Sequence, residues 1–403
     1  MTRNPTGAED RSPTRAEVRD PAGPGDRSSA GPEDRSPAGP GDRSPAGPED
    51  RSPAGPGDRS PAGPGDRTRT PPAPPDPGAP RAAPAAAPIR LGICLAALAP
   101  YGLAGALAVA RDVGVGVVDL PVDRGFALVD AARLEDPGHQ RDVRERCAAA
   151  GVEVGCVSNS RDTQLVLGPH GPHTDAVSVG SAEAKRAFGV RAALGTVRFA
   201  AGVGAPLVRL MLGVPDLARW FSWSGSEVSW QDNVDAWVLA ARPVLELADT
   251  LGVRVVIEPH PKQVAYDPAS TRALLSGASG VHLCVDPANL AAIGYDPVAC
   301  VRGWGRRLAA VHAKDLQRWS DTESPRGAGW SRYGPGPAIR FRALGAGTLP
   351  WPAIVAALLD DDYRGVIYVE HEDALLPTEQ GIANSLTLLR TLIPAGVAPG
   401  RTW

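Results

Sequence analysis

Four polar residues stand at the ends of four successive apolar segments, and their types are those that bind metal ions. They are Glu258, Asp286, His312 and Glu370, separated by 28, 26 and 58 positions. Three carboxylates and one imidazole form a hard, oxygen-rich ligand set that suits Mn²⁺, Mg²⁺ or Co²⁺, and Zn²⁺ also accepts such ligands. If the four side chains meet, they predict a site for one divalent metal ion with open positions for substrate or water.

The apolar segments before these residues predict parallel β-strands. Each is short, rich in β-branched residues and preceded by a helix-like stretch; they cover 253–258, 281–286, 308–312 and 365–370. Intervals of 28 and 26 residues match one strand–helix unit each, and the interval of 58 matches a unit enlarged by a long loop, 313–347. In a barrel of such units the carboxyl ends of the strands converge on one face. The four residues are therefore expected to share that face.

Earlier segments complete a count of eight strands. Four more apolar segments with strand character occupy 91–95, 115–120, 152–157 and 207–212. Helices predicted between them begin at capping residues such as Asp136, which precedes Pro137 at the first helical position, and Ser181. Eight strand–helix units in roughly 300 residues predict an α/β fold, a (β/α)8 TIM barrel over 89–403.

The first 88 residues have a composition that cannot form such a domain. An octad close to Asp-Arg-Ser-Pro-Ala-Gly-Pro-Gly recurs five times between Asp26 and Gly65, and no aromatic residue precedes Tyr101. A segment of this kind buries too little apolar surface to offset the entropy lost on ordering. We predict that 1–88 is a disordered, low-complexity tail before the barrel.

Charge and hydropathy exclude several classes of partner. The chain has 42 Lys and Arg against 45 Asp and Glu, so it lacks the basic excess of a nucleic-acid-binding protein. No apolar segment approaches membrane-spanning length and no signal-peptide core stands near Met1, which predicts a cytoplasmic protein without a membrane partner. The cysteines show no paired C-x-x-C spacing and are interpreted as reduced, mostly core residues: Cys94, Cys147, Cys156, Cys284 and Cys300.

Five short motifs in the last third of the chain carry a resemblance to a known family. They read Ile257-Glu-Pro-His-Pro, Val285-Asp-Pro-Ala-Asn-Leu, Val311-His-Ala-Lys-Asp, Leu344-Gly-Ala-Gly and Val369-Glu-His-Glu-Asp. In this order and spacing they resemble the sugar phosphate isomerase/epimerase family, the xylose isomerase-like TIM barrels. The resemblance extends in layout over nearly all of 89–393. It is specific for the superfamily and does not identify a substrate.

The resemblance implies a function and a role for each strand-end residue. Glu258, Asp286, His312 and Glu370 would be the metal ligands, and the two glutamates would also act as proton acceptor and donor on opposite faces of the substrate. The expected reaction is isomerisation or epimerisation of a sugar or related small polyhydroxy carbonyl compound through an enediolate. Barrels of this type often pair, so a homodimer is an expectation that rests on the resemblance alone.

Six further residues are candidates for substrate binding. Many relatives carry a histidine at the position of Asn289, and asparagine can donate a hydrogen bond but cannot shuttle a proton. Lys314 is a candidate for binding a substrate oxyanion or pairing with a carboxylate, and Arg318 stands where related epimerases carry a substrate-contacting arginine. The remaining three are histidines, one after a ligand glutamate and two in a Gly-Pro loop: His260, His170 and His173.

Other features leave alternatives open. His371 is either a partner of the neighbouring ligand glutamate or a core histidine. The tryptophans Trp220, Trp223 and Trp230 fit either a cover over a sugar or a subunit contact.

Three rival functions are compatible with the barrel to different degrees. An inosose-type dehydratase shares the first step, abstraction of an α-proton, and Asn289 leaves that lyase reaction open. A non-catalytic sugar-binding barrel with a decayed site is also open. An endonuclease of the AP endonuclease IV kind needs more metal ligands and basic loops, whereas this chain has only seven histidines and no basic excess.

Overall fold

The computed structural model describes residues 89–216, 229–318 and 339–394. Within these ranges eight parallel strands close into a barrel surrounded by helices, so the predicted TIM-barrel fold is confirmed. The predicted tail, 1–88, and the residues Trp220 and Trp223 lie outside the described residues.

The barrel strands follow one another around the ring in chain order. They are β1 Arg90–Cys94, β2 Val117–Pro121, β3 Glu153–Asn159, β4 Leu207–Leu210, β5 Arg254–Ile257, β6 Val281–Val285, β7 Leu308–Ala313 and β10 Val366–Val369. The ring closes where β1 pairs with both β2 and β10, because Ile93 is in register with Val118 on one side and Val369 on the other. All eight predicted strands are present, with ends that differ by a few residues.

The helices pack around the strands. Within the described ranges they are α1 Gly102–Asp112, α2 Pro137–Ala149, α3 Ala182–Val203, α4 Gln231–Thr250, α5 Pro268–Gly277, α6 Pro287–Ala292, α7 Trp351–Asp360 and α8 Thr378–Leu392. The predicted caps are confirmed: the Asp136 side chain accepts from the N–H of Gly138 at 2.7 Å, and that of Ser181 accepts from Ala184. Such caps satisfy backbone donors that the first helical turn leaves unpaired.

The segment after β7 differs from the prediction of a plain loop. Strands β8 Asp315–Arg318 and β9 Ile339–Arg342 pair as an antiparallel ribbon at the base of 313–347. The Asp373 carboxylate accepts from Arg342 Nε at 2.9 Å and from the N–H of Ala343 at 3.0 Å. This contact ties the ribbon to the chain that follows β10, beside the carboxyl face of the barrel.

The barrel interior is filled by side chains from nearly all of its strands. One inner cluster contains Cys156, Cys284 and Tyr368, while a larger apolar cluster lies between strands and helices. Tyr368 passes close to Gly155, where an added Cβ would lie 2.4 Å from the phenol oxygen, so the small residue makes room for the large one. All five cysteines are buried and unpaired, as predicted. In the part of the chain that is described, no helix is long and apolar enough to cross a membrane.

Candidate metal centre

The four residues expected to bind a metal ion come together at the carboxyl ends of β5, β6, β7 and β10. One ligand atom from each of Glu258, Asp286, His312 and Glu370 lies within 4.8 Å of the other three. Asp286 and His312 are fully buried, and Glu258 is 4% exposed. Carboxylates this deeply buried are costly unless cations or hydrogen bonds compensate them.

His312 presents one ring nitrogen to the cluster and the other to a neighbouring strand. Its Nε2 lies 3.2 Å from Oδ2 of Asp119, which belongs to β2. Its Nδ1 has no hydrogen-bond partner among the described residues and faces two carboxylate oxygens, Glu370 Oε2 at 3.6 Å and Glu258 Oε2 at 3.8 Å. A buried, unpartnered imidazole nitrogen between carboxylates is suited to metal coordination.

The two carboxylate oxygens of Asp286 have different surroundings, since one caps a helix and the other faces the cluster. Oδ1 accepts from the N–H of Ala288 at 2.8 Å and so caps α6. Oδ2 has no hydrogen-bond partner among the described residues, although Lys314 Nζ is 3.0 Å away in an ion pair. Burial raises the pKa of Asp286 to about 7, and the charge of Lys314 partly counteracts this.

Glu258 is held by a donor on each oxygen. Asn289 Nδ2 donates to Oε1 at 2.7 Å, and Arg209 Nη1 donates to Oε2 at 2.6 Å. Both donors come from adjacent barrel units, so the carboxylate has a fixed orientation before any ligand enters. Asn289, which was predicted to contact substrate, is observed to position the carboxylate of Glu258.

Lys314 is a second buried cation among the carboxylates. Its Nζ lies 2.8 Å from Oε2 of Glu370 and 2.9 Å from Oε2 of Glu372, and it stands over the ring of Phe341. Burial alone would raise the pKa of Glu370, but the charges of Lys314 and His312 hold it well below its usual range. Of the two roles predicted for Lys314, pairing with carboxylates is the one observed.

This donor set fits a divalent ion. Three carboxylates and one imidazole supply a suitable ligand set, and two buried atoms, Asp286 Oδ2 and His312 Nδ1, lack hydrogen bonds that a metal bond would replace. Lys314 offsets part of the negative charge when no ion is bound.

A cavity of about 320 Å³ opens above the cluster, which is ample for a monosaccharide-sized molecule. Glu258, Asn289, Lys314 and Glu370 form part of its lining. The loops after the strands contribute further polar side chains: Ser160, Arg161, Gln164, His260, Lys262, His371 and Glu372. Burial lowers the pKa of His260 well below its usual value, with Lys262 adding to the effect, so this histidine is neutral.

Three predicted substrate-binding residues do not line this cavity. Arg318 Nη2 donates to the carbonyl oxygens of Ala291 and Ala292, at 2.6 and 3.0 Å, and so binds the end of α6. His170 Nε2 contacts the carbonyl oxygen of Leu165 at 2.7 Å, and His173 is exposed on the same loop. Trp230 donates from Nε1 to the carbonyl of Val264 at 3.0 Å.

Sequence reasoning missed two buried charged residues that lie within barrel strands of the site. Asp119 on β2 and Arg209 on β4 are 0% and 5% exposed, and Nε of Arg209 lies 3.6 Å from Oδ2 of Asp119. Each is a single charged residue inside an apolar strand, which was the signal that could have identified them. Glu372, two residues beyond Glu370, was likewise not selected.

Fold and site together define a (β/α)8 barrel with a cluster of metal-binding character at the mouth. The family model described as xylose isomerase-like TIM barrel matches residues 107–392. Because this match covers most of the chain, the protein belongs to that family, and the resemblance seen in the motifs is confirmed.

Individual relatives are distant. The chain is 25% identical over 222 residues to the uncharacterized protein YfiH of Bacillus subtilis strain 168, which covers 49% of this chain and 69% of YfiH. A xylose isomerase domain protein from Planctomyces limnophilus has a TM-score of 0.56 at 23% identity, over 76% of this chain and 97% of that one. The 3-keto-D-glucoside 4-epimerase YcjR from E. coli has a TM-score of 0.54 at 16% identity, over 75% and 99% of the two chains. These two structures share the fold.

Proposed function

We propose that the protein is a metal-dependent isomerase or epimerase of a sugar or related small polyhydroxy carbonyl compound. The observation that carries the proposal is the convergence of Glu258, Asp286, His312 and Glu370 within 4.8 Å below a cavity of about 320 Å³. Family membership supports it, and YcjR, which shares the barrel fold, is a 3-keto-D-glucoside 4-epimerase.

The chemistry follows from the geometry of the carboxylates. A divalent ion held by the four ligands would act as a Lewis acid that stabilises negative charge on substrate oxygens. One of Glu258 and Glu370 removes the proton next to the carbonyl, and the other returns a proton to form the product by way of an enediolate. Both line the cavity, as a proton carrier must.

Two neighbours orient the substrate in this proposal. Asn289 Oδ1 is buried with no hydrogen-bond partner among the described residues, so it can accept from a substrate hydroxyl. Lys314, which contacts Glu370, places an ammonium group where negative charge develops on the substrate oxygen. The carboxamide of Asn289 does not accept a proton near neutral pH, so Glu258 and Glu370 act as the acid and the base.

The test is proton exchange in deuterated solvent. Metal-free protein is supplied with Mn²⁺ and incubated with ketohexoses, aldoses and 3-keto-glucosides, and the products are followed by NMR. We expect deuterium at the carbon next to the carbonyl, together with an isomer or epimer of unchanged composition. Glu258→Gln and Glu370→Gln, which keep an oxygen for metal binding, should each lower the rate by about 10²–10⁴-fold.

A matched control is Glu379→Gln, which makes the same change at an exposed position on α8 and should keep the parent rate. Loss of water from the substrate after the exchange step would identify the dehydratase alternative instead. Tight binding of a sugar without any exchange, in a protein that binds Mn²⁺, would support the non-catalytic alternative and exclude the proposed reaction.

A further inference from the structure

We infer that Asp119 is a positioning residue of the proposed metal centre, which fixes His312 so that its Nδ1 faces the ion. The inference rests on the proposed metal site but adds a residue from β2, on the opposite side of the barrel from the ligand strands. Asp119 Oδ2 and His312 Nε2 are 3.2 Å apart, and both side chains are fully buried.

The contact determines which ring nitrogen can bind a metal. A carboxylate only accepts hydrogen bonds, so His312 Nε2 must carry the hydrogen that points at Asp119. The lone pair that binds a metal is then on Nδ1, the atom that lies 3.6 Å from Glu370 Oε2 and 3.8 Å from Glu258 Oε2. Without the acceptor, Nδ1–H could instead donate to one of these carboxylates and block coordination. Metal-binding histidines commonly depend on such an outer partner.

Asp119 also lies beside a buried cation. Arg209 Nε lies 3.6 Å from the same Oδ2, while Nη1 of that guanidinium donates to Glu258 at 2.6 Å and to Ser160 Oγ at 3.1 Å. One buried cation thus connects the partner of His312 with a second ligand. The ring of Tyr368 packs edge-on against His312 and limits rotation of the imidazole.

The experiment measures Mn²⁺ binding to metal-free protein by electron paramagnetic resonance, and the ring N–H signals of His312 by NMR with ¹⁵N-labelled histidine. In Asp119→Ala we expect Mn²⁺ affinity to fall about 10–100-fold, and the hydrogen-bonded Nε2–H signal to be lost. Asp119→Asn keeps an acceptor oxygen without the charge, so we expect a smaller loss, about 3–10-fold, and a shifted signal. The signal is assigned by its absence in His312→Gln.

Asp123→Asn is the matched control. Asp123 is 1% exposed and follows the same strand, but it accepts from the N–H groups of Ser160 and Arg161 rather than from a metal ligand. This variant should keep the parent affinity and the parent Nε2–H signal.

Parent-like Mn²⁺ affinity and an unchanged signal in the Asp119 variants would overturn the inference, and Asp119→Asn alone decides this if the alanine variant does not fold. The NMR signal does not require bound metal or turnover. A parent protein that fails to bind Mn²⁺ yet shows the Asp119-dependent signal would therefore contradict the proposed function and not the contact.

Discussion

Arg209 compensates two carboxylates that have lost their contact with water. It is 5% exposed, and its guanidinium lies beside Glu258, 4% exposed, and Asp119, fully buried. Replacement by methionine would keep much of the volume and remove the charge. We expect Arg209→Met to lower the free energy of unfolding by about 3–5 kcal/mol, because breaking a buried ion pair leaves uncompensated charge. Urea unfolding followed by circular dichroism measures this.

Arg209→Lys is the informative comparison for this prediction. Lysine keeps the charge, but a single ammonium group cannot reproduce the forked contacts to both carboxylates. It should therefore lose less stability than the methionine variant. Equal losses in the two variants would show that packing of the side chain, rather than its charge, stabilises this part of the barrel.

Asp162 makes stability depend on pH below neutrality. Burial raises the pKa of this carboxyl from 3.8 to about 6, although the N–H of Arg124 donates to it. A raised pKa in the folded state means that the fold favours the protonated form. The contribution of Asp162 to stability is therefore complete below pH 4 and is lost as pH rises through 6, by up to about 3 kcal/mol.

Urea unfolding of the parent and of Asp162→Asn at several values between pH 4 and pH 7 measures this contribution. The difference in unfolding free energy between the two proteins should change across that range in favour of the asparagine variant as pH rises. A constant difference would contradict the assigned pKa.

The four candidate ligands and two of their partners, Asn289 and Lys314, were predicted from sequence, whereas the partners within the strands, Asp119 and Arg209, were not. Glu258 and Glu370 follow strands directly, so the strand prediction alone places them on the carboxyl face. Asp119 and Arg209 lie within strands, where direction into or out of the barrel depends on register and closure. Arg318 was placed by analogy, but the ribbon that carries it turns the guanidinium towards the carbonyl oxygens at the end of α6.

At the scale of elements, the approach of α3 to the loop after β3 depends on Gly189. A Cβ there would lie 2.5 Å from the carbonyl carbon of Leu165 and from the nitrogen of Val166, which are backbone atoms that cannot move independently. Alanine favours the helix by about 1 kcal/mol, but overpacking costs about 1–3 kcal/mol. We expect Gly189→Ala to lower the unfolding free energy and to speed hydrogen exchange at these two amides.

Gly202 provides the control in the same helix. A Cβ there would meet side-chain atoms of Gln140, which can rotate away at the cost of the hydrogen bond from Nε2 to the carbonyl oxygen of Leu134. Gly202→Ala should therefore cost less stability than Gly189→Ala. Destabilisation of similar size at both positions would point to helix geometry instead of the contact with the loop.

Local signals predicted most elements but not those formed by distant pairing. Asp136 and Ser181 start helices through contacts within three residues, which the sequence displays. The β8–β9 ribbon joins two strands of four residues each across an intervening segment of 20 residues, and nothing in either short strand identifies its partner. The position of the ribbon depends on contacts such as that of Asp373 with Arg342.

At the scale of the whole molecule, the composition of the repeated octads predicts that the barrel keeps its stability without residues 1–88. A chain lacking residues 1–88 retains every strand and helix of the barrel. We expect its midpoint of thermal unfolding to equal that of the full chain within about 2 °C, since a segment of this composition buries little apolar surface. Differential scanning calorimetry of both chains measures this, and a lower midpoint in the shorter chain would assign the octads a stabilising contact.

The hydrogen bond between Asp119 and His312 joins residues 193 positions apart, from β2 and β7. Such a pair requires β2 and β7 to be brought together from distant parts of the chain, and pairings of long sequence separation are slow to form because of the entropy of loop closure. If the proposed metal centre binds an ion, that binding would report a complete polypeptide, because a chain released before its last strand would have three of the four candidate ligands and no closed ring to hold them in place.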